Sequence, residues 1–217
     1  MGLENLEGTR RALHGVAELV LAGPQYRESG TIRLRVVQGG FETVRAPALR
    51  VNVTELVAGD RAIPLNGTTC RELATAAGVE AGGPEGLYGD TSGVGPDDTL
   101  GVDGAAAAHI VESFARGQEA LLRFAPAEEP VLWPEHFDLG ITVDEVNYGV
   151  SAGDSYLAEP YVYVAPWEPR EGTFWDAPFG ATRPVRRMRD AAELHGFLVE
   201  GRERASRDPR SQGEISS

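Results

Sequence analysis

The chain has 217 residues, 41% of them hydrophobic, enough to bury a substantial core in one compact unit. Its 33 acidic and 20 basic residues leave a formal net charge of -13, which repels nucleic-acid backbones and anionic membrane surfaces, so neither is an expected partner. A lone cysteine, Cys70, excludes an internal disulfide framework and any paired-cysteine metal knuckle.

Every basic residue is arginine, and Ala, Gly and Pro are abundant, a pattern of codon bias rather than of arginines recruited for phosphate. No apolar run reaches the length of a membrane span, and "MGLENLEGTRR" carries acidic residues where a signal peptide would be positive. The expected compartment is the reducing cytoplasm.

Leu13, Val16, Ala17 and Val20 recur at helical spacing opposite Arg10, Arg11, His14 and Glu18, predicting an amphipathic helix over 3–22 that "GP" ends. "TIRLRVV" alternates Ile32, Leu34 and Val36 with arginines, and "QGG" turns it into Phe41 to Val44. Leu49, Val51 and Val53 alternate again, so antiparallel hairpins are expected. Thr69 and Glu72 make a capping box for a short helix with Cys70, Leu73, Ala74 and Ala77 on one face, stopped by Gly78. Cys70 there reads as core packing rather than as a nucleophile.

Residues 80–100, rich in Gly, Pro and Asp, lack periodicity; a loop of that length is a lid or a mobile excursion, and it divides the chain into two halves. Residues 104–124 then carry Ile110, Val111, Phe114, Leu121 and Leu122 on one side of a long helix. "VLW", "FDLGITV", "VNYGV" and "PYVYVAPW" read as antiparallel strands. A last helix, about 189–205, is expected to bury Met188, Ala191, Ala192, His195, Leu198 and Val199. Residues 206–217 read as a disordered tail. The fold class is α+β: antiparallel strands over about 31–64 and 131–167 covered by about four helices, in one domain over 1–205.

The stretch "VLWPEHFDLG" places polar groups inside an apparent buried strand. Residues two apart in a strand share a side, so His136 and Asp138 form an HxD pair able to face a metal. With His195 and "RAS" at 204–206, the pattern is similar to that of 2-oxoglutarate-dependent oxygenases, in which HxD and a distant histidine hold Fe(II). The helical period of 189–205 opposes that reading, since the family carries those residues on strands. His14 and His109 fall on polar helix surfaces or helix starts.

Without a metal, His136 beside Glu135 and Asp138 can serve as a base with an orienting carboxylate. No nucleophile elbow, P-loop or GxGxxG is present, so no cofactor is expected. The alternative is a buried hydrogen-bonded cluster of Trp133, His136 and Asp138 that fixes strand register. Aromatic and polar residues mix again in Asn147, Tyr148, Asp154, Glu159, Tyr161, Tyr163, Trp167 and Trp175, the composition of either a small-molecule pocket or a packed sheet.

The segments "LWPEHFD", "NYGVSAGD", "EPYVYVAPW" and "FWDAPFGA", with "TRRALHGVAELVLAG", resemble a family of uncharacterised, mainly actinobacterial proteins, from the first helix to about residue 205. A broader family of unknown function has a similar WPxHFD element, SxGD turn and PYxY strand. The resemblance implies a shared fold and the matching positions Trp133, His136, Asp138, Asn147, Asp154, Glu159, Pro160 and Tyr161, and no activity. Ala152 and Asp176 depart from the expected proline and asparagine.

The expected function is binding of a small molecule of unknown identity in a pocket of the C-terminal half. Trp133, His136, Tyr148, Tyr161, Tyr163, Trp167 and Trp175 would line it, with Asp138, Asn147, Asp154 and Glu159 as polar contacts. The alternatives are an enzyme using His136 and Asp138 as base or metal ligands, and an interaction protein without a pocket. The sequence does not fix the oligomeric state.

Overall fold

Alternating hydrophobicity becomes one ten-stranded antiparallel sheet in the computed structural model, which describes residues 3–84, 86–89 and 91–209. The strands are β1 (Leu34–Val37), β2 (Gly40–Thr43), β3 (Leu49–Asn52), β4 (Glu55–Ala58), β5 (Arg61–Pro64), β6 (Val131–Trp133), β7 (Asp138–Val143), β8 (Val146–Ser151), β9 (Tyr161–Pro166) and β10 (Ala181–Pro184). Their spatial order is β10-β9-β8-β7-β6-β1-β2-β3-β4-β5. The two predicted strand stretches are thus halves of one sheet, joined where Leu34 of β1 pairs with Leu132 of β6. β10, absent from the predicted strands, pairs with β9 and forms one edge.

The expected α+β class holds, with four helical bodies on the sheet. The first is longer than its sequence predicts. α1 (Leu3–Val16) continues through a π-helical stretch, Ala17–Ala22, into α2 (Gly23–Ser29). "GP" does not end it, because the Gly23 N–H reaches back five residues to Glu18 O and Pro24 enters the following first turn, where a missing N–H is tolerated. Gly23 is required by proximity: a Cβ there would lie 1.7 Å from Gly82 O. The wide turn also breaks the 3.6-residue phase, so Glu18, expected on the polar side, is only 2% exposed.

α3 (Cys70–Ala77) has the predicted capping box between Thr69 and Glu72 and the predicted Gly78 stop, left-handed at φ 76°. α4 (Gly104–Phe124) begins at Asp103, whose carboxylate accepts from Ala106 N at 2.8 Å. α5 (Ala191–Arg207) begins at Asp190 and buries Ala191, Leu194, Phe197, Leu198, Gly201 and Ala205. The predicted buried face is therefore corrected: Ala192 and Val199 are exposed and His195 is half-buried. Contact of Gly201 with Val164 on β9 sets that rotation, and Gly117 of α4 meets Val150 on β8 in the same way.

Residues 80–100 do not divide the sheet. Gly82 N donates to Leu19 O at 2.9 Å, Ser92 donates from N and Oγ to Glu18 Oε2 at 3.0 and 2.7 Å, and Arg71 clasps Asp97. The described part of the loop is strapped along the first helical body. The predicted tail is likewise ordered in its first residues: α5 runs to Arg207, and Asp208 accepts from Trp175 Nε1 at 2.9 Å. The rest of it, 210–217, lies outside the described residues.

Candidate functional site

"VLWPEHFDLG" is a hairpin rather than a strand. Trp133 closing β6 pairs with Asp138 opening β7, and Pro134 to Phe137 form the turn between them. Phe137 takes a left-handed φ of 49°, a conformation costing about 1–3 kcal/mol for a non-glycine residue. Burial of its ring, which is 1% exposed, offsets that cost by a similar amount. The ring stacks on His14 at 5.5 Å and meets Phe41 and Phe114 edge-on. His14 also bonds Pro134 O through Nε2 at 2.7 Å, fixing the hairpin tip to α1.

This turn takes His136 out of the strand expected for the HxD pair. His136 sits exposed at the tip, whereas Asp138 is the first residue of β7. The phenol of Tyr163, on β9, donates to Asp138 Oδ2. It reaches that far because Gly140 and Gly149 face each other on β7 and β8, leaving bare backbone under the ring. A Cβ on Gly149 would stand 2.5 Å from Tyr163 Oη, and one on Gly140 3.0 Å from it.

Next to this pair, Tyr161 donates to Asp154 Oδ2 at 2.5 Å, and Asp154 Oδ1 accepts from Tyr156 N and Leu157 N at 2.8 and 3.0 Å. Asp154 is therefore saturated with donors and shapes the β8–β9 turn. Burial raises the Asp138 pKa above the ordinary aspartate value, although the Tyr163 hydrogen bond and His136 pull the other way. The Tyr163 phenol is also raised, first by burial and then by the neighbouring Asp138 charge. His14 is lowered, chiefly by burial.

These groups border a cleft of about 880 Å³ where the polar side of α1 passes the ends of β7, β8 and β9. Glu7, Arg10, Arg11 and His14 line one wall, with Thr91 and Ser92 beside them. The hairpin residues Glu135 to Asp138, Ser151, the 153–155 turn, Tyr161, Tyr163, Ala165 and Phe179 line the rest. A second depression of about 520 Å³ on the outer sheet face shares Glu135, His136, Asp138 and Tyr163, and adds Arg33, Trp133 and Asn147.

Of the predicted site residues, the fold brings Glu135, His136, Asp138, Asp154, Tyr161 and Tyr163 to the cleft. Trp133 and Asn147 lie in the outer depression, with the Arg33 guanidinium 5.7 Å over the Trp133 ring. Trp167 is 63% exposed and donates to Asn147 Oδ1 at 3.2 Å. Tyr148 points to the helical face, packed on Phe124 at 4.6 Å, and burial pushes its phenol up to about 12. Glu159 is held by Arg186, and Trp175 by Asp208. The single aromatic pocket expected from the sequence is therefore not assembled, because register sends Tyr148 and Tyr163 to opposite faces.

The cleft also takes in Glu7, Arg10, His14 and Ser151, none of them among the site residues expected from the sequence. A signal was present: Glu7, Arg10, Arg11 and His14 fall at helical spacing along one stripe of α1. The iron arrangement is not built, since α5 packs His195's helix against the face of β8 and β9 opposite Asp138, and Arg204 is paired with Glu200. Among the described residues no group of three His, Cys, Asp or Glu side chains is placed to hold a metal. Burial pushes the Cys70 thiol up to about 12, which suits packing and not attack.

Among the described residues no helix is long and apolar enough to cross a membrane. Compared with known proteins, the chain matches no protein-family model, no curated protein and no solved structure.

Proposed function

We propose that the chain binds a small molecule in the cleft between α1 and the β6–β7 hairpin. The observation that carries this reading is the Asp138–Tyr163 pair: a buried carboxyl held at the edge of a large concave space by a tyrosine that crosses two glycines to reach it. The volume lies within the range of about 300–1,000 Å³ typical of ligand pockets, and the walls combine aromatic surface with a few convergent polar groups. Such a hollow also weighs against a purely structural role. The resemblance to uncharacterised actinobacterial proteins belongs to this proposal and supplies no activity.

The test is a fragment screen by protein-observed NMR on the wild type and on Ser155→Trp, which places a bulky side chain at the exposed rim of the cleft. Fragments are expected to shift resonances of Asp138, Tyr161 and Tyr163, and the variant to abolish those shifts. Shifts that cluster elsewhere and survive the variant contradict the reading.

The burial of Asp138 favours a second reading, in which its carboxyl gives or takes a proton during a reaction on the bound molecule, with His136 alongside. Mass spectrometry of any bound fragment after incubation separates the two. Conversion by the wild type and not by Asp138→Asn supports the enzyme; an unchanged fragment supports binding alone.

A further inference from the structure

Ten ion pairs join arginines to carboxylates across the described residues, including the exposed pairs Arg71–Asp97 and Arg202–Asp144. Two charged residues on different walls of the cleft belong to none of these pairs. Among the described residues Arg10, half-buried on the α1 wall, pairs with no carboxylate and donates only a long 3.5 Å bond to Ala158 O. Glu135, on the hairpin wall, pairs with no cation among the described residues, and its Oε2 is buried without a donor. The two lie on different elements of one hollow and are not joined to each other.

A buried carboxylate oxygen without a donor is costly, a cost removed when a ligand supplies that donor, and a guanidinium on the other wall without a carboxylate is open to an anion. Because one wall needs an anion and the other a cation, a ligand of a single sign satisfies only half of the site. The floor between them is aromatic, formed by Tyr161, Tyr163 and Phe179, with ring centroids of Tyr161 and Phe179 6.5 Å apart. That surface suits an apolar side chain between two charged ends. At about 880 Å³ the hollow has room for more than a single amino acid.

Resting on the binding reading above, we infer that the cleft takes a zwitterionic, peptide-like ligand, with its free carboxylate on Arg10, its free amine on Glu135 and an apolar side chain against Tyr161 and Phe179. Asp138 and Tyr163 lie beneath the backbone of such a ligand and supply hydrogen bonds.

The probe is the tripeptide Ala-Phe-Ala with free ends, compared by NMR titration with its amino-acetylated and carboxy-amidated forms. Each blocked form is expected to bind at least ten-fold more weakly. In Glu135→Gln the penalty for acetylation disappears while that for amidation remains, and in Arg10→Gln the reverse holds. This crossed pattern cannot arise from misfolding, which weakens every form alike. Equal binding of free and blocked peptides, penalties that do not follow the variants, or no cleft shifts at millimolar peptide overturns the inference. If fragments still occupy the cleft in that case, the binding reading stands and only the ligand class falls; if they do not, both fall.

Discussion

The phenol of Tyr163 on β9 and the carboxyl of Asp138 on β7 are hydrogen-bonded across the intervening strand β8, a reach that any side chain at position 149 would block. Sheet register and two facing glycines thus deliver a buried acid to the mouth of a cleft. The chemistry of the site depends on backbone packing in β7 and β8 before it depends on any polar group.

Gly149→Ala tests that dependence. Its Cβ would lie 2.3 Å from Leu139 O and 2.6 Å from the Tyr163 ring, so ring and strand must both move. A loss of about 1–3 kcal/mol is expected, as for overpacking of a filled site. For a chain of this length that lowers Tm by about 2–4 °C per kcal/mol, measurable by calorimetry. Unchanged stability would show that Tyr163 does not lie over the glycines.

Asp138 links the site to pH. Its folded pKa is raised by burial, so its contribution to stability is full below the unfolded value of about 4 and is lost as pH rises through the folded pKa. Tyr163→Phe removes a hydrogen bond that favours the ionised form, so the Asp138 pKa should rise further and the window should widen upward. A carboxyl carbon NMR titration of both proteins reads this directly. Ionisation of Asp138 in the ordinary aspartate range contradicts it.

His14 works in the opposite sense. Burial lowers its folded pKa, so its contribution is full above the unfolded value of about 6.5 and is lost as pH falls through the folded pKa. Urea unfolding of the wild type is expected to show a loss of stability between neutral pH and pH about 5 that His14→Gln reduces. Glutamine can still donate to Pro134 O, which separates titration from loss of the bond at the hairpin tip. An identical pH slope in both proteins argues against a buried, neutral His14.

On the helical face, Gly117 and Val150 should behave as a coupled pair. A Cβ on Gly117 would come within 2.5 Å of Val150 Cγ2, so Gly117→Ala alone is expected to cost about 1–3 kcal/mol. Val150→Ala removes both methyl groups and makes room. In the double variant the coupling should recover about 0.5–2 kcal/mol of the summed losses, as measured by a double-mutant cycle. Strict additivity would mean that α4 does not rest on β8 at this point.

Local signals in the sequence led directly to several elements. The alternation of Leu34 and Val36, and of Leu49 and Val51, names β1 and β3, and Thr69 with Glu72 names the start of α3. What failed depends on groups distant in the chain. Gly23 is shaped by contact with Gly82, and through it the helix survives Pro24 and Glu18 turns inward. The β1–β6 pairing that unites the sheet joins residues nearly a hundred positions apart and leaves no periodic trace. In the site, Tyr161 and Tyr163 stand two apart on β9 and share a face, but Tyr148 could be assigned to the other only once register was known. The α1 stripe of Glu7, Arg10 and His14 was visible as a polar face, and nothing local distinguishes a face that meets solvent from one that walls a cleft.

The central claim is that the hollow between α1 and the β6–β7 hairpin is where this protein meets its ligand. Crystallographic fragment soaking tests it most directly. Density for bound fragments should lie between the Arg10 guanidinium and the Tyr161 and Tyr163 rings, within hydrogen-bonding reach of Asp138. Fragments gathered instead on the outer face around Trp133 and Trp167, with only water between α1 and the hairpin, would contradict it.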